Sequence, residues 1–264
     1  MTRPIARTLI ITTVLLASAL TAPAWAKKPA KKVPHKAAHT SDAGVSAEEI
    51  LKRSDEARMP DGTISFSVTV TDKDTEEVQG ETTYRVSAKG EDMAMIETTA
   101  PARLKGRKLL MRGDDLWLYL PTVKRPTRVG LQQRLTGEVA NGDIARTRFF
   151  VDYKPKKMGE ETIKGKTCHK LELKAKKKET TYRRILLWVE TSTFQPAKAE
   201  FFALSGKLLK RSEYFEYQNV LGSNRATRVL IRDALKPAKS SELKYQDFKR
   251  EQLDDSFFTK ESLM

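Results

Sequence analysis

Between Ile64 and Thr71 the chain alternates without exception: Ile64, Phe66, Val68 and Val70 fall on one side, and Ser65, Ser67, Thr69 and Thr71 on the other. A two-residue period fits an extended strand with one apolar and one wetted face. Similar runs recur over 82–86, 92–97, 107–112, 115–120, 169–175, 182–189, 198–204, 208–217, 227–232 and 243–248. Turn-forming pairs such as Lys89-Gly90, Gly113-Asp114, Ser205-Gly206 and Leu221-Gly222 separate them. About a dozen short strands with short connections predict an antiparallel meander, not the strand–helix alternation of a parallel sheet. The fold class is therefore mainly β with a minor α part (α+β). The apolar face needs a cover, which the sheet supplies by closing into a barrel or helices supply by plugging it.

Two segments read as helical. Ser46-Ala47-Glu48-Glu49 is a capping box ahead of Ile50, Leu51 and Ala57, and the folded domain is expected to begin here and run over 46–264. Leu131, Leu135 and Val139 fall four apart ahead of Asn141-Gly142-Asp143, predicting a short amphipathic helix that Asn-Gly stops.

Residues 1–26 read as an export signal, with Arg3 and Arg7, an apolar run from Leu9 to Leu20, and Ala24-Trp25-Ala26 as the cleavage pattern. That run is shorter than the ~20 residues a membrane-spanning helix needs. Residues 27–45 are rich in Lys, Pro and Ala and predict a disordered basic tether; its His35 and His39 lack the helical setting that would make them a metal pair. Cys168 is the single cysteine, so there is neither an internal disulfide nor a cysteine placed for a lipid anchor. A soluble periplasmic product, stabilised by its core, is expected.

Catalytic signals are weak. Ala203-Leu204-Ser205-Gly206-Lys207 lacks the glycine spacing of a phosphate loop and reads as a hairpin turn. No nucleophile elbow and no His-Glu-x-x-His helix occurs, and neither a cofactor nor a metal is expected. His169, in phase with Leu171 and Leu173, reads as a buried neutral histidine, whereas Cys168 shares phase with Lys170 and Glu172 and should face outward unless a bulge intervenes. The excess of 49 Lys+Arg over 34 Asp+Glu raises nucleic acid as a partner. Export and the lack of a nucleic-acid motif count against it, leaving anionic membrane surfaces or simple protection of strand edges.

The segment Gly113-Asp-Asp-Leu-Trp-Leu-Tyr-Leu-Pro121 is apolar on both strand faces and leads into the basic Lys124-Arg-Pro-Thr-Arg128. With Asn141-Gly-Asp143 ahead of an aromatic pair and Leu253-Asp-Asp-Ser-Phe-Phe-Thr259 near the end, it resembles the LolA-like periplasmic lipoprotein-sorting proteins over residues 46–264. The resemblance implies an incompletely closed antiparallel half-barrel whose helices cover a concave apolar face. It also implies a non-catalytic carrier that shields the acyl chains of a lipoprotein or lipid on the way to the outer membrane. An inner-membrane transporter, an outer-membrane acceptor and transient contact with an anionic membrane surface would be its partners, and a monomer is expected. The candidate lining is Phe66, Val68, Val70, Met93, Met95, Trp117, Tyr119, Leu131, Leu135 and Val139, with the 131–139 helix as lid and Lys124, Arg125 and Arg128 as the basic contact surface. Alternation does not say which face of the Trp117 strand is concave. The alternative is an accessory protein of an inner-membrane exporter of the resistance-nodulation-division type, or of a lipid transporter. The Lys/Pro/Ala tether and the segment Asn141-Gly-Asp-Ile-Ala-Arg146 depart from the carrier pattern.

Overall fold

The computed structural model describes residues 44–146 and 148–264. The export signal and the tether lie outside the described residues, apart from Gly44 and Val45. Helix α1 (Ala47–Arg58) opens on the N-cap Ser46, whose hydroxyl accepts from the Glu49 amide at 3.1 Å. Strands β1 (Thr63–Asp74), β2 (Glu77–Lys89), β3 (Met93–Ala100), β4 (Lys108–Arg112), β5 (Asp115–Tyr119) and β6 (Thr127–Arg128) follow. A covering segment then carries β7 (Arg134–Thr136), β8 (Val139–Ala140), α2 (Asn141–Ala145) and α3 (Phe149–Asp152). The chain returns as β9 (Tyr153–Ile163), β10 (Lys166–Ala175), β11 (Arg184–Glu190), β12 (Pro196–Phe202), β13 (Leu208–Val220), β14 (Ser223–Asp233) and β15 (Lys239–Arg250).

The main sheet has 13 strands in the order β6-β5-β4-β3-β2-β1-β15-β14-β13-β12-β11-β10-β9. Its pairings are antiparallel, the first and last long strands meet in the middle, and the ends β6 and β9 do not pair with each other. The sheet is thus an open half-barrel, and the expected meander holds. Coverage of the apolar face falls to short helices and a hairpin.

Register settles which residues share a face. Phe66 pairs with Val86, Val86 with Ile96, and Ile96 with Leu109, so these point inward together. Phe66, Val68 and Val70 join Leu131, Val139, Ile144 and Leu243 in one buried cluster. A second cluster packs Ile50 and Leu51 of α1 against Leu171, Leu173, Ile185 and Leu187. Each fully buried side chain of this size contributes about 1.5–3 kcal/mol.

Three expectations need correction. Residues 131–139 are not a helix: Arg134 pairs with Ala140 and Thr136 with Val139, and Asn141 starts α2 instead of stopping a preceding helix. Gly137, at φ +43°, turns the hairpin so close to Asp72 that a Cβ there would lie 1.7 Å from Oδ1. A left-handed turn held by a distant carboxylate overrides the four-residue spacing. Next, Met93, Met95, Trp117 and Tyr119 do not share the face of Phe66. Met95 pairs with Ser87 and Leu110, and Leu110 with Trp117, on the convex side. There Met95 and Leu110 are buried beneath Phe258 and Leu263, with Met93, Trp117 and Tyr119 packed around them. Finally, Cys168 is buried, its Sγ turned back towards the Lys166 carbonyl at 3.6 Å, where the β9–β10 register slips between His169 and Leu171. His169 is buried as expected, Nδ1 lying 2.9 Å from Glu160 Oε1.

Candidate ligand cavity

The concave face is closed by the segment from Val129 to Ala145, and polar contacts define how it is latched. Thr136 donates to Asp72 Oδ2 at 2.9 Å, Ser241 donates to Asp72 Oδ1 at 2.6 Å, and the Glu138 amide donates to the Ser241 hydroxyl at 2.8 Å. Asp143 accepts from the Ala140 amide at 2.7 Å and from the Tyr182 hydroxyl at 2.8 Å, and it pairs with Lys210. Lys210 also donates to the Glu138 carbonyl at 3.0 Å. Asn141 and Gly142 seat the cover on itself: the Asn141 side chain donates to the Gly130 carbonyl at 3.0 Å, and the Gly142 amide to the Leu131 carbonyl at 2.9 Å. Gly142 lacks a side chain for a reason, since a Cβ there would meet Thr181 Oγ1 at 2.0 Å.

Among the described residues, two of the cavities beneath this cover bear on a ligand. One of about 80 Å³ lies between the end of α1, α2 and strands β1, β13, β14 and β15. Phe66, Ile144, Phe201, Val229, Ile231 and Leu243 supply its apolar wall. Its polar wall holds Arg58, Asp143, Arg146, Asp152, Arg225, Tyr214 and Tyr245. The other, about 260 Å³, lies under β7 and is lined by Tyr84, Ile96, Leu109, Leu118 and Leu135, with Arg107, Lys108 and Arg134 at its rim.

The interior ions are mostly paired. Arg58 lies 3.1 Å from Asp55, whose other oxygen accepts from the Phe150 amide at 2.7 Å. Arg146 lies 3.1 Å from Asp152, and donates to the Gly113 carbonyl at 2.9 Å. Burial pushes the Asp55 and Asp152 carboxyls up, against the pull of Arg58 and Arg146 respectively. Burial likewise pushes the Tyr245 hydroxyl up to about 12 and holds Tyr182 well above the ordinary phenol range, so both are neutral donors.

Of the residues expected from sequence, the structure places Phe66 in the smaller cavity and Leu135 in the larger. Val68, Val70, Leu131 and Val139 pack together where cover meets sheet. Lys124 and Arg125 are exposed on the loop between β5 and β6, and Arg128 is paired with Asp115. Sequence reasoning missed Arg58, Asp143, Arg146, Lys210 and Arg225. A signal existed for Arg225, which is in phase with Val229 and Ile231 on β14 and therefore had to point inward.

The open antiparallel sheet with a latched cover over an apolar interior is an architecture the chain shares with known proteins. A family model described as that of an uncharacterized protein matches residues 90–264. A LolA superfamily protein from Nitrosomonas europaea is 41% identical, with a TM-score of 0.79, covering 83% of this chain and 100% of that one. The chain belongs to the LolA superfamily. A putative outer membrane lipoprotein-sorting protein domain from Vibrio parahaemolyticus is 22% identical with a TM-score of 0.72, over 82% of this chain and 97% of that one. A DUF1329 family protein from Desulfovibrio piger is 21% identical with a TM-score of 0.73, over 83% and 98% respectively. No curated protein matches.

Proposed function

We propose that the protein is a periplasmic carrier that takes up an acyl chain of a lipid or lipoprotein beneath its cover and releases it towards the outer membrane without catalysis. The observation that carries this is the latched cover. A sheet face lined by Phe66, Val68 and Val70 is closed by a separate segment, whose Leu131, Val139 and Ile144 pack into the same cluster and whose position is fixed by hydrogen bonds to Asp72 and Ser241 and from Tyr182 to Asp143. Burial of an acyl chain gains about 0.8 kcal/mol per CH₂, so a chain crossing water needs such a dry recess. Ligand sites for molecules of this size span about 300–1,000 Å³, more than either cavity offers, so loading requires the cover to move. Among the described residues no helix is long and apolar enough to cross a membrane. The Vibrio protein, which shares the fold, is described as a putative outer membrane lipoprotein-sorting protein domain, and lipoprotein acyl chains are among the cargoes proposed for this chain. The exposed Lys124 and Arg125 would bring the open edge to anionic lipid.

The test is native mass spectrometry, with lipid extraction, on protein purified from a bacterial envelope without detergent. A co-purifying lipid or acylated peptide is the expected result. Protein that is empty, and stays empty after incubation with envelope lipids, refutes the carrier reading.

A further inference from the structure

The charges under the cover do not balance. Lys210 is matched by Asp143, Arg146 by Asp152 and Asp114, and Arg58 by Asp55. Arg225 has no carboxylate partner among the described residues, although only 3% of it is exposed. Its guanidinium lies 4.2 Å from the Phe248 ring centroid, 5.3 Å from that of Tyr245 and 6.0 Å from that of Phe66. Its one polar contact is Nη1 to Met59 Sδ at 3.7 Å, and its buried Nε has no acceptor. Burial lowers it only to about 10, so it is charged at neutral pH. Aromatic faces compensate part of the desolvation but cannot accept the in-plane hydrogen bonds of a guanidinium. An interior cation left in this state is destabilising, and a ligand anion would offset that cost.

We propose that Arg225 is the receptor for a singly charged oxyanion, so that the cargo is an anionic amphiphile with a carboxylate or phosphodiester head held at Arg225. This rests on the carrier reading of the same cavity and names its ligand class. One unmatched cation calls for one negative charge, and a planar guanidinium meets two oxygens at once. Tyr214 and Tyr245 line the same space and bring hydroxyls that can donate. The tail then follows β14, where Val229 and Ile231 lie inward of Arg225 on the same face and Leu243 faces them from β15. From Arg225 to Ile231 the strand rises about 20 Å, enough to bed an extended chain.

The test is displacement of a fluorescent acyl probe from the full chain at about pH 8, where fatty acids are ionised. Dodecanoic acid, a dodecyl phosphodiester, dodecanol and inorganic phosphate are the competitors. The acid and the phosphodiester should bind about tenfold more tightly than the alcohol, as a charge-assisted bidentate contact warrants. Arg225→Met should bring the acid and the phosphodiester down to the alcohol's affinity for the same variant, and Arg225→Lys should keep part of the preference. Equal binding of acid and alcohol to the wild type overturns the proposal and leaves the carrier reading intact, and needs no variant to fold. A preference surviving Arg225→Met also overturns it. Phosphate competing as well as the dodecyl anions overturns the amphiphile, since the tail then contributes nothing. Probe and competitors all failing to bind removes the carrier reading and this proposal together.

Discussion

Replacing Gly142 with alanine should loosen the cover while leaving the sheet alone. The new Cβ would lie 2.0 Å from Oγ1, 2.8 Å from Cγ2 and 2.9 Å from Cβ of Thr181. Thr181 is buried and, being β-branched, has little rotamer freedom with which to retreat. Overpacking of this kind costs about 1–3 kcal/mol. Alanine returns at most about 1 kcal/mol through its helix preference within α2. The net is about 1 kcal/mol against the closed state, or roughly a fivefold rise in the open population. Hydrogen exchange reads this directly, because the Glu138 amide bonds from the cover to the Ser241 hydroxyl on β15 at 2.8 Å. Its exchange should accelerate about fivefold and acyl-probe uptake should speed up with it, while amides within the ladders of β13–β15 stay as they were. Adding Thr181→Ala removes the two side-chain atoms beyond Cβ and should restore most of the protection. Unchanged exchange in the cover, equal acceleration across the sheet, or failure of the second substitution to rescue would refute the reasoning.

Other perturbations separate the parts of the account. Lys210→Met leaves Asp143, whose side chain is 11% exposed, without its cation and should cost about 3 kcal/mol in urea unfolding, more than a convex-surface lysine such as Lys170. Phe258→Ala should lower stability by about 3–5 kcal/mol yet leave acyl-probe affinity unchanged, because Phe258 packs on Met95 and Leu110 on the convex face. Cys168 should resist thiol reagents in the folded protein and react in denaturant, since it is buried and desolvation pushes its thiol up, reducing thiolate at any given pH. Asp55 is raised above its ordinary 3.8, so its carboxyl favours folding most in acid and loses that contribution as pH rises through the folded value. The stability gap between wild type and Asp55→Asn should therefore shrink as pH rises from below the ordinary 3.8 through the raised folded value, a trend that chemical unfolding at stepped pH would show or deny.

The strands were legible because each is long enough for alternation to show, as in Ile64 to Thr71, and because turn residues separate them. The inward set Phe66, Val68 and Val70 followed from that alternation. Local pattern failed where both faces of a strand are apolar. Met95 and Trp117 looked available to a ligand because the segment that buries them, with Phe258 and Leu263, comes some 140 residues or more later in the chain than Trp117. The hairpin at Arg134–Ala140 was hidden for a similar reason, its turn being fixed by Asp72 and Ser241 on other strands. Charges inside the cavity follow another logic. Arg225 and Lys210 are inward by strand phase, but among so many surface Lys and Arg their position is visible only once apolar partners on the same face are named.

The central claim is that an acyl chain lies between the cover and the concave face. A fatty acid carrying a photoreactive diazirine along its chain, incubated with the protein, irradiated and mapped by peptide mass spectrometry, tests it most directly. The account expects adducts on inward positions of β1, β14 and β15 and on the cover, near Phe66, Val229, Leu243 and Ile144. Adducts confined to the convex face around Trp117 and Tyr119, or labelling that excess unlabelled fatty acid does not reduce, would contradict it.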